Sequence, residues 1–175
     1  MAGRQFTAAD IRSLLAQLDE ELQRRGSGAV IFVVGGAAMA LAYHADRVTD
    51  DIDGTFAPRD VVLEAAAVVA EQNGLQKHWL SDGVVQLLPP LPDDHPHTER
   101  IGPALTVEVA SPEYVLAMKS MTSRQSDGDR EDAVTLCRLL GISSQDQLEA
   151  VVGRYFPGGR YGAQELFFER IIDSI

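Results

Sequence analysis

The run AVIFVV, Ala29–Val34, constrains the fold more than any other stretch. Six consecutive apolar residues, rich in β-branched side chains, are too short for a core helix. They read as a strand buried on both faces, which calls for a sheet with cover on each side. Gly35-Gly36 breaks the run, and AAMALAYHA continues at once with a helical look. A second strand, DIDGTF, follows closely. The chain is therefore expected to be α/β (α+β), built around a small mixed sheet flanked by helices.

Helical periodicity frames these strands. In TAADIRSLLAQLDEELQRRG the residues Ile11, Leu14, Leu15, Leu18 and Leu22 fall on one face, with Thr7 as cap and Gly26 as terminator. RDVVLEAAAVVAEQNG predicts another helix, ending near Asn73-Gly74. LQKHWLSDGVVQLLPP predicts two short strands about a turn at Asp82-Gly83, and LPDDHPHTERIGP a polar loop. LTVEVA alternates, with Leu105, Val107 and Val109 on one face and Glu108 on the other. Ser111-Pro112 opens a helix with the stripe Tyr114, Ala117, Met118 and Met121. A further helix carries Ala133, Leu136, Cys137 and Leu140, and two more follow over roughly 145–155 and 163–172. The expected organisation is a core over 1–110 and a helical C-terminal part over 111–175.

Composition narrows the setting. The 175 residues are 45% hydrophobic, enough for a real core. A net charge of -11 argues against a broad nucleic-acid footprint and against docking on anionic membranes. The single cysteine, Cys137, permits no intrachain disulfide and suits a reduced compartment. No secretory signal pattern opens the chain, and no apolar run reaches the ~20 residues of a membrane span. A cytoplasmic globular protein with no membrane association is the expectation.

The chemistry concentrates in ADRVTDDIDGTF. On a strand, residues two apart face the same way, so Asp51 and Asp53 project together while Ile52 points inward. Two ionised carboxylates repel unless a cation lies between them. Magnesium suits such a pair, because it takes carboxylate oxygens and keeps positions for substrate phosphates. The competing reading is solvated turn chemistry. Asp46 and Asp50 fit that alternative better. Upstream, Gly35-Gly36 lets backbone N–H groups approach an anion where a helix begins. A plain tight turn is the alternative there. Together the two halves suit a metal-bound nucleoside triphosphate (NTP).

The segment VVGGAAMALAYHADRVTDDIDGTF resembles the signature of the DNA-polymerase-β-like nucleotidyltransferases. SPEYVLAMKSMTSRQSDGDREDAVTLCRLLG is similar to the lysine–arginine–aspartate helices of the bacterial branch linked to toxin–antitoxin and abortive-infection systems. Small aminoglycoside and lincosamide nucleotidyltransferases are a second similar branch. The resemblance spans roughly 30–56 and 106–141. It implies a nucleotidyltransferase fold and transfer of a nucleoside monophosphate from an NTP, with Mg2+ or Mn2+ at the metal site. Many members carry Ser after the first glycine, where this chain has Gly36. Backbone donors must then meet the phosphate.

The resemblance implies a role for each matching position. Asp51 and Asp53 would hold the metal, with Glu108 as third ligand or base; an ordinary solvated strand position is the alternative for Glu108. Gly35 and Gly36 would meet phosphate, and Arg47 and Thr49, the R-x-T before the acids, would position the loop or touch substrate. Lys119 would reach the triphosphate, against a snorkelling helix lysine. Arg124 would support phosphate or pair with Asp127. An active-site aspartate falls on Asp129 or Asp132, and Asp129 alternatively caps its helix. The implied acceptor is tRNA or a protein, with a cognate antitoxin as possible partner. A small-molecule hydroxyl is the alternative acceptor, and an inactive nucleotide-binding or partner-binding module is the alternative of another class. Asp94, His95 and His97 suggest a metal site only weakly, since a proline-rich loop is poorly preorganised. Trp79 is expected to pack on the sheet, and Arg154, Arg160 and Tyr161 to form a solvated C-terminal face.

Overall fold

The computed structural model describes residues 3–159 and 161–175; Arg160 lies outside them. The chain is mixed α/β and divides into two compact units, Met1–Gln86 with Pro96–Ala110, and Leu87–His95 with Ser111–Ile175. Among the described residues no helix is long and apolar enough to cross a membrane.

The first unit contains α1 (Ala8–Arg24), β1 (Ala29–Val34), α2 (Gly35–Ala38), β2 (Ile52–Ala57), α3 (Arg59–Asn73), β3 (Leu80–Ser81), β4 (His97–Arg100) and β5 (Leu105–Val109). α2 runs directly into a π-helical stretch, Met39–Tyr43. Thr7 caps α1 as predicted, and Asp10 completes a reciprocal box by accepting from the Thr7 N–H. The sheet order is β3-β2-β1-β5-β4. β1 pairs antiparallel with β2 and parallel with β5; β3 joins β2 in parallel, and β4 joins β5 antiparallel.

The sequence predicts β1 within its observed bounds but overstates its burial. Ile31 and Val33 are sealed, whereas Val30 is 40% exposed and Phe32 half-buried. α1 packs on β5 and α3 on β2, while α2 packs on β1 and β2, where Val34 is sealed as well. Ile31, Val33, Ile52, Leu105 and Val107 fill the α1–α3 face. Gly54 lies on it too, so close to Phe32 that a Cβ would strike the Phe32 carbonyl oxygen.

Two connections also differ from expectation. No hairpin forms at Asp82-Gly83: β3 is two residues long, and a 3-10 turn follows over Gly83–Leu87. The Trp79 ring decides this. Its indole N–H donates to Ala66 O at 2.9 Å, and its carbonyl accepts from Ile52 N at 2.7 Å. That locks β3 beside β2, while Val85 and Leu87 stay exposed with no face to bury. The predicted polar loop contains β4, an edge strand whose polar residues give no alternation to read. A buried carboxylate on α1 organises the neighbouring strand. Asp19 accepts from Ala104 N at 2.8 Å and Leu105 N at 2.7 Å, fixing where β5 begins.

The second unit holds α4 (Pro112–Met121), α5 (Asp127–Leu140), α6 (Gln145–Tyr155) and α7 (Gln164–Asp173). Ser111 caps α4 with Pro112 in the first turn. Ser126 caps α5, and Gly141 ends it in the left-handed conformation at φ 70. Leu136, Leu148, Val152, Phe167, Phe168 and Ile171 form the core. Cys137 is buried with them, and burial pushes its thiol up to about 12. Tyr161 is buried rather than part of a solvated face, and Arg154 lies 3.7 Å from Asp94.

Candidate functional site

Strand register places the acids. Asp53 pairs with Val34, Thr55 pairs with Phe32, and Glu108 pairs with Phe32 from the other side. Directly paired residues share a face. Asp53, Thr55, Phe32 and Glu108 therefore lie on the face opposite the α1–α3 layer. All four are half-buried. Asp51 stands one residue before β2, in a bend, and is half-buried as well. Glu108 is two strands over from Asp53 and two residues along. From ordinary strand spacing and rise that is about 12 Å at Cα.

At one end of this sheet β1 and β5 finish while β2 and β3 start. The Gly-Gly turn leaves β1 there. Gly35 has φ 63, a left-handed conformation that disfavours any side chain. Gly36 faces the R-x-T segment: a Cβ on it would lie 2.8 Å from Thr49 Oγ1 and 3.7 Å from an Arg47 guanidinium nitrogen. The Thr49 hydroxyl donates to the Asp51 carbonyl at 3.0 Å. Arg47 folds back on its own loop and donates to Val48 O. Phe6 pins the segment in turn, with Phe6 N to Thr49 O at 2.7 Å and Thr49 N to Phe6 O at 3.0 Å. The Gly-Gly turn, R-x-T and D-x-D are thus one contiguous structure. Thr49 occupies the room that a serine at position 36 would need.

Lys119, Arg124, Asp129 and Asp132 meet in the second unit. Lys119 is 8% exposed, so it neither snorkels nor lies outside the α4 core. Its Nζ is 3.1 Å from Asp129 Oδ1 and 2.9 Å from Asp132 Oδ2. Met118 and Met121 are only half-buried, and the buried side of α4 turns through Lys119 and Ser120. Arg124 donates twice to Asp129, from Nε at 2.9 Å and Nη2 at 2.8 Å. Ser126 Oγ adds a third bond to it at 2.6 Å. Burial acts to raise the Asp129 carboxyl, but Arg124, Ser126 and the Lys119 ammonium outweigh it and hold it well below the usual carboxylate range. Ser126, not Asp129, is the α5 cap, and Asp129 is its box partner.

Among the described residues, one group of three or more metal-capable side chains brings its ligand atoms within 4.8 Å: Asp93, Asp94 and His95. His97 lies outside it. These side chains already serve the fold. Asp93 accepts from Ser111 N at 2.6 Å and Ser111 Oγ at 2.8 Å. His95 lies between Asp94 at 2.5 Å and Glu113 at 3.0 Å, and those hydrogen bonds raise its pKa.

Sequence reasoning missed Phe6 as a network member. Phe6 acts through its backbone and carries no periodic signal. The resemblance left Asp129 and Asp132 as alternatives, and Lys119 contacts both. No family model, curated protein or solved structure matches the chain.

Proposed function

We propose that the first unit is a metal-dependent nucleotidyltransferase that moves a nucleoside monophosphate from an NTP to an acceptor hydroxyl. One observation carries the reading: Asp51 and Asp53 stand at the open end of the sheet, with the Gly-Gly turn tied to them through Thr49. An all-oxygen donor pair fits Mg2+ or Mn2+, which need only one or two carboxylates when phosphates supply other ligands. Asp51 and Asp53 would hold that ion. It would neutralise the triphosphate and acidify the attacking hydroxyl.

The chain's residues then divide the work. The first-turn N–H groups after Gly35 lack intrahelical partners in any helix start and suit phosphate oxygens. Thr49 and Arg47 hold the loop that presents Asp51. Glu108, on the same face as Asp53, would serve as a third ligand or as the base that takes the acceptor proton. The acceptor oxygen forms its bond to the α-phosphorus as the α–β phosphoanhydride bond breaks, and pyrophosphate leaves. Lys119, Arg124 and Asp129 satisfy one another within the second unit, and no step is assigned to them.

The resemblance offers tRNA or a protein as acceptor, with an antitoxin as possible partner. A second reading, a small-molecule hydroxyl, draws support from charge. Acidic residues outnumber basic ones in both units, leaving little to neutralise a nucleic-acid backbone. The test is incubation with each α-labelled NTP, Mg2+ and total tRNA, beside Asp51→Asn/Asp53→Asn. Label in RNA or protein that vanishes in the variant supports the reading. Magnesium-dependent binding with no transfer to RNA or protein points to the small-molecule acceptor or to an inactive binding module. Neither binding nor label refutes the proposal.

A further inference from the structure

Asp51 has two flanks. β1 and the glycine turn lie on one side of β2, and β3 lies on the other. On the β3 side a cavity of about 400 Å³ opens with Asp51 in its wall. That volume lies within the ~300–1,000 Å³ typical of small-molecule sites. Phe6 and Trp79, both almost fully buried, give it an aromatic wall. The Trp79 N–H is committed to Ala66 O, so the indole contributes carbon surface. Leu75, Gln76 and His78, from the α3–β3 connection, line it as well, and Arg4 and Asp50 put charge on its rim. Among the described residues, the Gln76 amide and the His78 ring make no hydrogen bond or ion pair within the chain.

Apolar walls beside an unengaged amide and imidazole suit a flat heteroaromatic ring. The ring's faces take the apolar and aromatic contacts, and its edge takes hydrogen bonds from the amide. We infer that this cavity is the nucleobase subsite of the NTP, with Gln76 and His78 choosing the base. The inference rests on the nucleotidyltransferase reading. The triphosphate then lies toward the glycine turn, Asp51 and Asp53 beneath it, and the base toward β3. One good amide–base pair discriminates between bases by roughly five- to 150-fold.

Equilibrium dialysis with the four labelled NTPs in Mg2+, competed by inorganic tripolyphosphate, tests this. Wild type is expected to favour one or two bases about tenfold. Gln76→Ala/His78→Ala alters two exposed side chains, and unchanged Trp79 emission confirms its fold. It is expected to bind tripolyphosphate as wild type does while its base preference falls to within about threefold. An undiminished preference in the double variant overturns the subsite, as does a wild type that binds all four NTPs equally. If the variant keeps its base preference but loses transfer to the acceptor, the cavity belongs to the acceptor and the inference fails. Magnesium-dependent NTP binding that survives Asp53→Asn sinks the transferase reading instead. Failure of wild type to bind any NTP sinks both.

Discussion

Substituting Gly36 with Ala is the sharpest probe of the loop that presents Asp51. The added Cβ would stand 2.8 Å from Thr49 Oγ1 and 3.2 Å from Thr49 Cβ. The threonine has little room to retreat, because its N–H and carbonyl are both bonded to Phe6. It must rotate, and the hydroxyl then releases the Asp51 carbonyl. Overpacking costs about 1–3 kcal/mol, and a lost hydrogen bond adds about 1 kcal/mol. Gly36→Ala should therefore destabilise the first unit by about 2–4 kcal/mol. Trp79 is the only tryptophan and belongs to that unit, so urea unfolding followed by its emission reads the right transition. Thr49→Ala removes the closest atom. The double variant should recover at least ~1 kcal/mol relative to the sum of the singles. Mn2+ affinity, read by paramagnetic resonance, should fall in Gly36→Ala without loss of far-ultraviolet ellipticity. A change within ~0.5 kcal/mol, or strict additivity, would refute the packing of Gly36 on Thr49.

Two further outcomes follow from the second unit. Lys119→Met leaves Asp129 and Asp132 without their shared ammonium, and breaking a buried ion pair costs about 3–5 kcal/mol. Thermal melting followed by helical ellipticity should show the loss, while Lys119→Arg should lose less. The folded Asp129 carboxyl titrates below its ordinary 3.8, so its contribution is fully present above that pH. It is lost as pH falls below about 4 toward the folded value. Asp129→Asn should flatten the acid limb of a stability profile measured from pH 6 to pH 2; an unchanged limb would refute it.

Legibility followed the kind of signal each element carries. The α1 stripe, its Thr7 cap and the Ser111-Pro112 start are local patterns, and each stands where the sequence puts it. The β1 bounds were readable from six apolar residues between glycines. β4 was not, because an edge strand with polar residues on both faces looks like a loop. The hairpin at Asp82-Gly83 failed because turn residues predict a reversal, whereas Trp79 had already tied the chain to α3 and β2. In the site, the D-x-D spacing was visible, but only Asp53 lies on β2, and Asp51 stands in the bend before it. The bond from Thr49 to Asp51 and the clamp from Phe6 depend on chain reversals that no periodicity encodes. The burial of Lys119 was illegible for a related reason. Helical spacing reports apolar residues, and a charge buried by two partners from the next helix gives no such signal.

The incomplete cover on the Val30–Phe32 face of β1 bears directly on the proposed chemistry. Had both faces of AVIFVV been covered, the face carrying Asp53 and Glu108 would lie inside the protein. Ionised carboxylates there would cost many kcal/mol or take up protons. Neither form would serve a hydrated cation. The exposure of Val30 and half-burial of Phe32 mark the same opening that leaves Asp53, Thr55 and Glu108 within reach of solvent. Gly54 and Ile52, on the opposite side of the same strand, are sealed and fix its height against β1. β2 thus has a rigid apolar back and a front on which Asp53 and Thr55 stay within reach of solvent.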